Sequence, residues 1–398
     1  MQVLTNCLSP TRMAPSSTSP TRRALCNLAS KWDIDVKSEE PTLLALPITS
    51  HLVNKVAEGA LHKGWKVVGT SRNGEFKGIK PGKDLSLRQV QKVTDENAWK
   101  QFAESEIIGG KDYVVLNGMG GAHPEKGKTL MELNVHCTLA AMRAITQIGH
   151  KRGAKIHFVQ FSSVATEIES THLYGEAKKE ANSLLLNECR TDLTIMSVGY
   201  ALDDPTTENT KTVISNHHHY SPEQVAKLPF HPTMSNSDYP LQPVAVKDIT
   251  RAVLNSLSFP GKTTVFAVGP ETFSQIDFFK FFTDLLGKKY RHIDIPFEAA
   301  MLLTKHFECG HFASYAADYC NTKPFIIDPS RFQERVGREL TSMTKLYDIP
   351  DGKTIEVNAP PIIKHTCAIA QKLWEDPQAR KDLARAFFLI AKQNFRNI

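Results

Sequence analysis

From Pro41 to about Val198 the chain alternates short apolar runs with stretches of helical periodicity. The runs are TLLAL (42–46), WKVVGT (65–70), DYVVLNG (112–118), KIHFVQFSS (155–163) and LTIMSV (193–198). Between them lie HLVNKVAEGALHK, MELNVHCTLAAMRAITQIGHKRG and GEAKKEANSLLLNECR. Nearly continuous apolar strands separated by amphipathic helices predict a parallel sheet covered on both faces, because parallel neighbours need a crossover. The fold class is therefore α/β, a Rossmann-like doubly wound parallel sheet with a smaller, mostly helical C-terminal lobe.

The pattern divides the chain into a leader (1–40), a Rossmann-like domain (41–200) and a polar insert (201–240). A segment completing the sheet and carrying the C-terminal lobe (241–350) and a helical tail (351–398) follow. The insert, rich in Asn, Ser and Pro, reads as a loop or lobe. In the lobe, Phe278, Phe279, Phe281 and Phe282 read as core or as a partner-facing groove. In the tail, Leu383, Phe387 and Ile390 form a stripe widened by Phe388 and Leu389. That stripe can cover the domain's own core, dock a neighbouring subunit or lie on a membrane surface. No internal repeat is visible.

Composition changes this picture in two places. Of the net charge of +6, residues 1–32 carry +4 through Arg12, Arg22, Arg23 and Lys31 with no acid, leaving 44 basic against 42 acidic residues elsewhere. A near-neutral body argues against a nucleic-acid partner. The acid-free, Ser/Thr-rich leader predicts a transit peptide, mitochondrial ahead of plastid, with a basic disordered tail as the bland alternative. No apolar run reaches the roughly 18–20 residues that span a bilayer. The seven cysteines contain no C-x-x-C pair, so neither a zinc site nor a disulfide framework is expected, and His217, His218 and His219 lack an acidic partner at ligand spacing.

Candidate chemistry starts at the first turn. A dinucleotide cradle uses three glycines there, for a tight turn, for close approach of the pyrophosphate and for helix packing. Here Pro47, Ser50 and Val53 stand in those places. The helix N-terminus remains, with Thr49 or Ser50 as its N-cap. Arg72, after the second strand, suits the extra phosphate of NADP(H) rather than NAD. Tyr174 and Lys178 sit one turn apart on a helix, where the ammonium is expected to lower the phenol pKa. Ser162 and Ser163 end the preceding strand with hydroxyls able to orient a carbonyl. Tyr319 and Lys323 repeat the spacing in a less suitable place.

Asn134 in MELNVHCT, the FVQFSSVA strand end, Tyr174 with Lys178, and QPVAVKDITRAV stand in the order found in extended and atypical short-chain dehydrogenase/reductases, which the chain resembles from about Pro41 to Leu286. GKTTVFAVGPETFSQIDFFKFF, RHIDIPFEAAMLLTKHFE and PFIIDPSRF followed by LYDIPDGKTIE resemble the NADPH-binding accessory-subunit family of mitochondrial respiratory complex I, the NADH:ubiquinone oxidoreductase.

That resemblance implies a matrix-side location at the inner membrane, other respiratory subunits as partners, peripheral membrane contact without a transmembrane segment, and NADP(H) held for structure rather than turnover. It places the triad of active members on Ser163, Tyr174 and Lys178, and cofactor contacts on Thr49, Ser50, Arg72, Gly118, Gly120 and Lys178. The altered turn weakens the cofactor site, so a non-catalytic accessory subunit is the leading expectation. An NADPH-dependent reductase or epimerase and a scaffold of another organellar assembly are the alternatives.

Overall fold

The computed structural model describes residues 40–76, 79–121, 128–167, 173–208, 211–215, 231–234, 240–296, 298–299, 302, 326–347, 354–358 and 376–395. The leader through residue 39, the histidine run at 217–219, Tyr319 and Lys323 lie outside them, as do all cysteines except Cys137 and Cys189, which are buried.

Seven parallel strands form the main sheet. They are β1 (Thr42–Leu46), β2 (Lys66–Ser71), β3 (Leu85–Gln89), β4 (Asp112–Asn117), β5 (Lys155–Ser163), β6 (Asp192–Val198) and, later in the chain, β12 (Lys262–Ala267). Their spatial order is β12-β6-β5-β4-β1-β2-β3. The order reverses between β1 and β4, and the crevice beyond the carboxyl ends of those strands is where such sheets hold ligands. Strand β1 is buried along its whole length because β2 and β4 flank it and helices cover both faces.

The helices follow the apolar period. In α1 (His51–His62), Val53, Val56, Ala57 and Ala60 form the buried stripe. This helix crosses α5 (Val246–Leu254) where Gly59 admits the Thr250 methyl group. On the sheet's other face lie α2 (Glu96–Glu106), α3 (Cys137–Lys151) and α4 (Leu173–Glu188). A single π-helical turn, Glu132–His136, leads into α3.

The structure differs from the sequence reading in two places. Strand β3 and helix α2 were not legible, because β3 is a half-exposed edge with only two apolar residues, Leu85 and Leu87. The polar stretch after Gly199 contains strands: β7 (Ala201–Leu202), β8 (Thr206–Glu208), β9 (Lys211–Ser215) and β10 (His231–Met234). They pair with strands from later in the chain: β7 with β11 (Val244–Ala245), β10 with β13 (His292–Ile295) and β9 with β14 (Thr354–Asn358).

In α6 (Gln275–Leu285), Phe278 and Phe282 are fully buried and stack edge-to-face, with Tyr347 against Phe282. The aromatic cluster is core at those two positions. Helix α7 (Ser330–Val336) packs on α5 and β12, and the short α8 (Met343–Leu346) closes the lobe. The Asp248 carboxylate of α5 ties the two parts, accepting from the Thr341 amide at 2.6 Å and its hydroxyl at 3.2 Å. The last helix, α9 (Pro377–Phe395), packs beside β13.

Candidate functional site

The crevice at the sheet's switch point is built from the β1–α1 turn, the end of β4 and the end of β5. In the turn, Pro47 has no amide hydrogen, and its carbonyl accepts from the Ser50 amide at 3.1 Å. The Ile48 amide donates to the Thr70 carbonyl at 3.0 Å. The Ile48 and Ser50 amides are thus bonded within the protein. Thr49 is exposed, and Ser50 holds the N-cap position without a side-chain hydrogen bond to the helix. The capping hydrogen bond expected of the Ser50 hydroxyl is not made.

Side chains fill the floor. Val53 is fully buried, and its Cγ2 lies over Gly118 so closely that a Cβ on that glycine would overlap it. Ile48 lies over Gly69 in the same way, its Cδ1 only 2.6 Å from where a Cβ would stand. Both glycines admit the protein's own side chains. Gly118 otherwise sits where the resemblance placed it, its amide donating to the Leu46 carbonyl at 2.7 Å.

A carboxylate reaches the helix end. His51, the first residue of α1, has its Nε2 2.6 Å from Asp203 Oδ2, with both side chains largely buried. Beside it, Lys247 meets Asp204 at 3.0 Å. The positive end of a helix dipole favours an anion, and here the chain supplies one. Sequence reasoning missed Ile48, His51 and Asp203 because nothing local relates the first turn to a loop after β7. Arg72 is exposed directly after β2, and its carbonyl accepts from Gln89.

On the other side of the crevice, Ser163, Tyr174 and Lys178 come together. Ser163 ends β5, Tyr174 opens α4 after a 3-10 turn (Val164–Glu167), and its hydroxyl is hydrogen-bonded with Ser163. The Lys178 ammonium lies 5.9 Å from the Tyr174 ring centroid and donates to the Phe161 carbonyl at 3.4 Å.

The expected electrostatics are corrected here. Burial raises the Tyr174 pKa, and only the Ser163 hydrogen bond opposes it. Burial also brings Lys178 down from 10.5 to about 8. The ammonium faces the ring, so the phenol is not held low. Ser162 is buried, and its hydroxyl has no hydrogen-bond partner among the described residues.

Gly120 closes the site. Its φ of +121° suits glycine, and the space a Cβ would need is taken by Asn134 Oδ1, with Lys178 Nζ at 3.0 Å. Asn134 sits in the π turn, where its amide nitrogen donates to the Gly121 and Leu130 carbonyls at 3.0 and 2.9 Å. Below, Asn117 Nδ2 donates to Gln160 at 2.6 Å and Thr138 at 3.1 Å, holding the ends of β4 and β5 to α3. No group of three or more potential metal ligands occurs among the described residues.

No family model and no curated protein sequence matches the chain. Solved structures do. UDP-glucose 4-epimerase of Thermotoga maritima with UDP-glucose is 13% identical, aligns over 77% of this chain and 96% of its own, and has a TM-score of 0.55. The dTDP-glucose 4,6-dehydratase of Bacillus anthracis in complex with NAD is 11% identical over 77% and 94% of the two chains, TM-score 0.54. An enzyme of Bordetella bronchiseptica in complex with NAD and UDP is 13% identical over 81% and 98%, TM-score 0.55. Identities this low establish architecture, not activity. The chain has the Rossmann-like, doubly wound α/β fold that these epimerase and dehydratase structures share.

Proposed function

We propose that this protein is a non-catalytic accessory subunit of mitochondrial respiratory complex I, built on an atypical short-chain dehydrogenase/reductase fold whose nucleotide crevice has closed. The tail motifs and the acid-free basic leader support the assembly and the matrix-side location.

One observation carries the loss of turnover: Val53 occupies the space over Gly118. Pyrophosphate binding at such a turn depends on bare backbone and free amides. Here the backbone is covered by Ile48 and Val53, Pro47 offers no amide, and the Asp203 carboxylate stands at the helix end. The turn does not fit a tightly held dinucleotide pyrophosphate. Arg72, Ser163, Tyr174 and Lys178 are what remains of an NADP(H)-type site. The gain from keeping the fold lies in its surfaces.

Native electrophoresis of detergent-solubilised inner membranes tests the assembly. The chain is expected to migrate with NADH dehydrogenase activity, and migration apart from it overturns this function. Mass spectrometry of small molecules released on denaturing the gently purified protein tests the crevice. The expected result is no stoichiometric dinucleotide.

A second reading is an NADPH-dependent reductase or epimerase. The grouping of Ser163, Tyr174 and Lys178 favours it, since Tyr174 could pass a proton and Ser163 orient a carbonyl. Stoichiometric NADP(H) in the purified protein would move the balance to that reading.

A further inference from the structure

We propose that Asn73 is a site of spontaneous covalent modification, its side chain closing onto the Gly74 amide and then opening to aspartate or isoaspartate. The chemistry stands whether or not a nucleotide is held. Glycine after asparagine favours this ring closure, because no side chain shields the attacking nitrogen. The chain contains two such pairs, Asn73–Gly74 and Asn117–Gly118. Their surroundings select the first.

Asn117 is fully buried at the end of β4. Its Nδ2, the group that would leave, donates to Gln160 and Thr138. The Gly118 amide, which would attack, donates to the Leu46 carbonyl at 2.7 Å. Nucleophile and leaving group are both held, and burial keeps water away.

Asn73 and Gly74 are exposed in the turn after β2. No hydrogen bond of the Gly74 amide occurs among the described residues. Asn73 Oδ1 accepts from the Glu75 amide at 3.2 Å, an Asx turn that folds the side-chain carbonyl back over the Gly74 peptide. Asn117 makes the same turn to the Met119 amide, so the turn alone does not discriminate. The second donor at Asn73 Oδ1 is the Ser71 hydroxyl, at 2.9 Å, which shares its proton with the Glu75 carbonyl. Both donors meet the oxygen on which negative charge develops as nitrogen attacks Cγ.

In the first step the Gly74 nitrogen gives its proton to solvent and bonds to Asn73 Cγ. The bond from Cγ to Nδ2 breaks, and that nitrogen leaves as ammonia with a proton from water. Water then adds to one of the two imide carbonyls. Breaking the new bond to Cγ leaves aspartate, and breaking the original peptide bond leaves isoaspartate. One water is consumed, one ammonia is released and nothing is oxidised. Either product places a carboxylate beside Arg72, the cation suited to an added phosphate.

The test incubates the full chain and a synthetic peptide of residues 68–80 in one near-neutral buffer. Peptide mass spectrometry and methyl labelling by an isoaspartyl methyltransferase follow both asparagines. Modification of Asn73 at the peptide's rate or faster is expected, with Asn117 intact. Ser71→Ala should slow it about threefold or more, a smaller effect than in an enclosed oxyanion hole because the turn is open to water. Asn73→Ser should remove the acid-shifted form on isoelectric focusing, and circular dichroism should be unchanged in both variants. A rate below the peptide's, or one that Ser71→Ala leaves unchanged, overturns the proposal. So does modification of Asn117 ahead of Asn73 in the folded chain.

Discussion

The Val53 side chain occupies the space that Gly118 leaves by having no Cβ. The two residues belong to α1 and to the end of β4, and their contact packs the helix against the sheet at the switch point. A glycine that would let a phosphate approach instead lets a valine pack. The same exchange joins Ile48 to Gly69.

This relationship is measurable as a coupling. Gly118→Ala should destabilise the chain by about 2–3 kcal/mol through overpacking, and Val53→Ala by about 1–3 kcal/mol through a cavity. In the Val53→Ala background the cost of Gly118→Ala should largely disappear. Urea unfolding of the four proteins completes the cycle, and additive costs would mean that the contact is not made.

Lys178 should be a burden on stability. Its pKa, lowered to about 8 by burial, lies below the ordinary 10.5, so the unfolded chain binds more protons between those values. Unfolding free energy should rise with pH across that window, and at neutral pH burial of the ammonium should cost about 3 kcal/mol. Lys178→Met should raise the melting temperature at pH 7 and remove the rise above pH 8.

His157 should act at the acid end. It is fully buried in β5, its Nε2 is 2.9 Å from Thr194 Oγ1, and burial lowers its pKa from 6.5 to about 4. Asp192 opposes the shift, while Arg335 and Lys155 add to it. Because the unfolded chain binds the proton more readily, stability should fall by about 3 kcal/mol as pH drops from 6.5 to 4. His157→Asn should flatten that segment in urea unfolding series.

The grouped hydroxyls separate the two functional readings. Tyr174→Phe and Ser163→Ala should leave NADH:ubiquinone activity and subunit content of the respiratory assembly unchanged. A large loss of activity with the assembly intact would show proton chemistry at Tyr174, which the proposed non-catalytic role does not require.

Local pattern alone determined much of this molecule. The five apolar runs became strands because parallel strands covered on both faces must be apolar throughout, and β5 follows its predicted bounds, 155–163. The pairing of Tyr174 with Lys178 was legible because helical period puts them on one face, and Ser163 because it ends the preceding strand.

Only the tertiary structure decided what those residues face. The ammonium turns to the ring and the carbonyl of Phe161, so burial governs the Tyr174 phenol. Asp203 reaches α1 from a loop far along the chain, and strands of the polar insert wait for partners that come much later. On α9, the stripe that period reads as one face is split, with Leu383 and Ile390 half-buried and Phe387 exposed. Periodicity fixes which side chains share a side of an element, while the contacts that cover that side come from residues the local sequence does not contain.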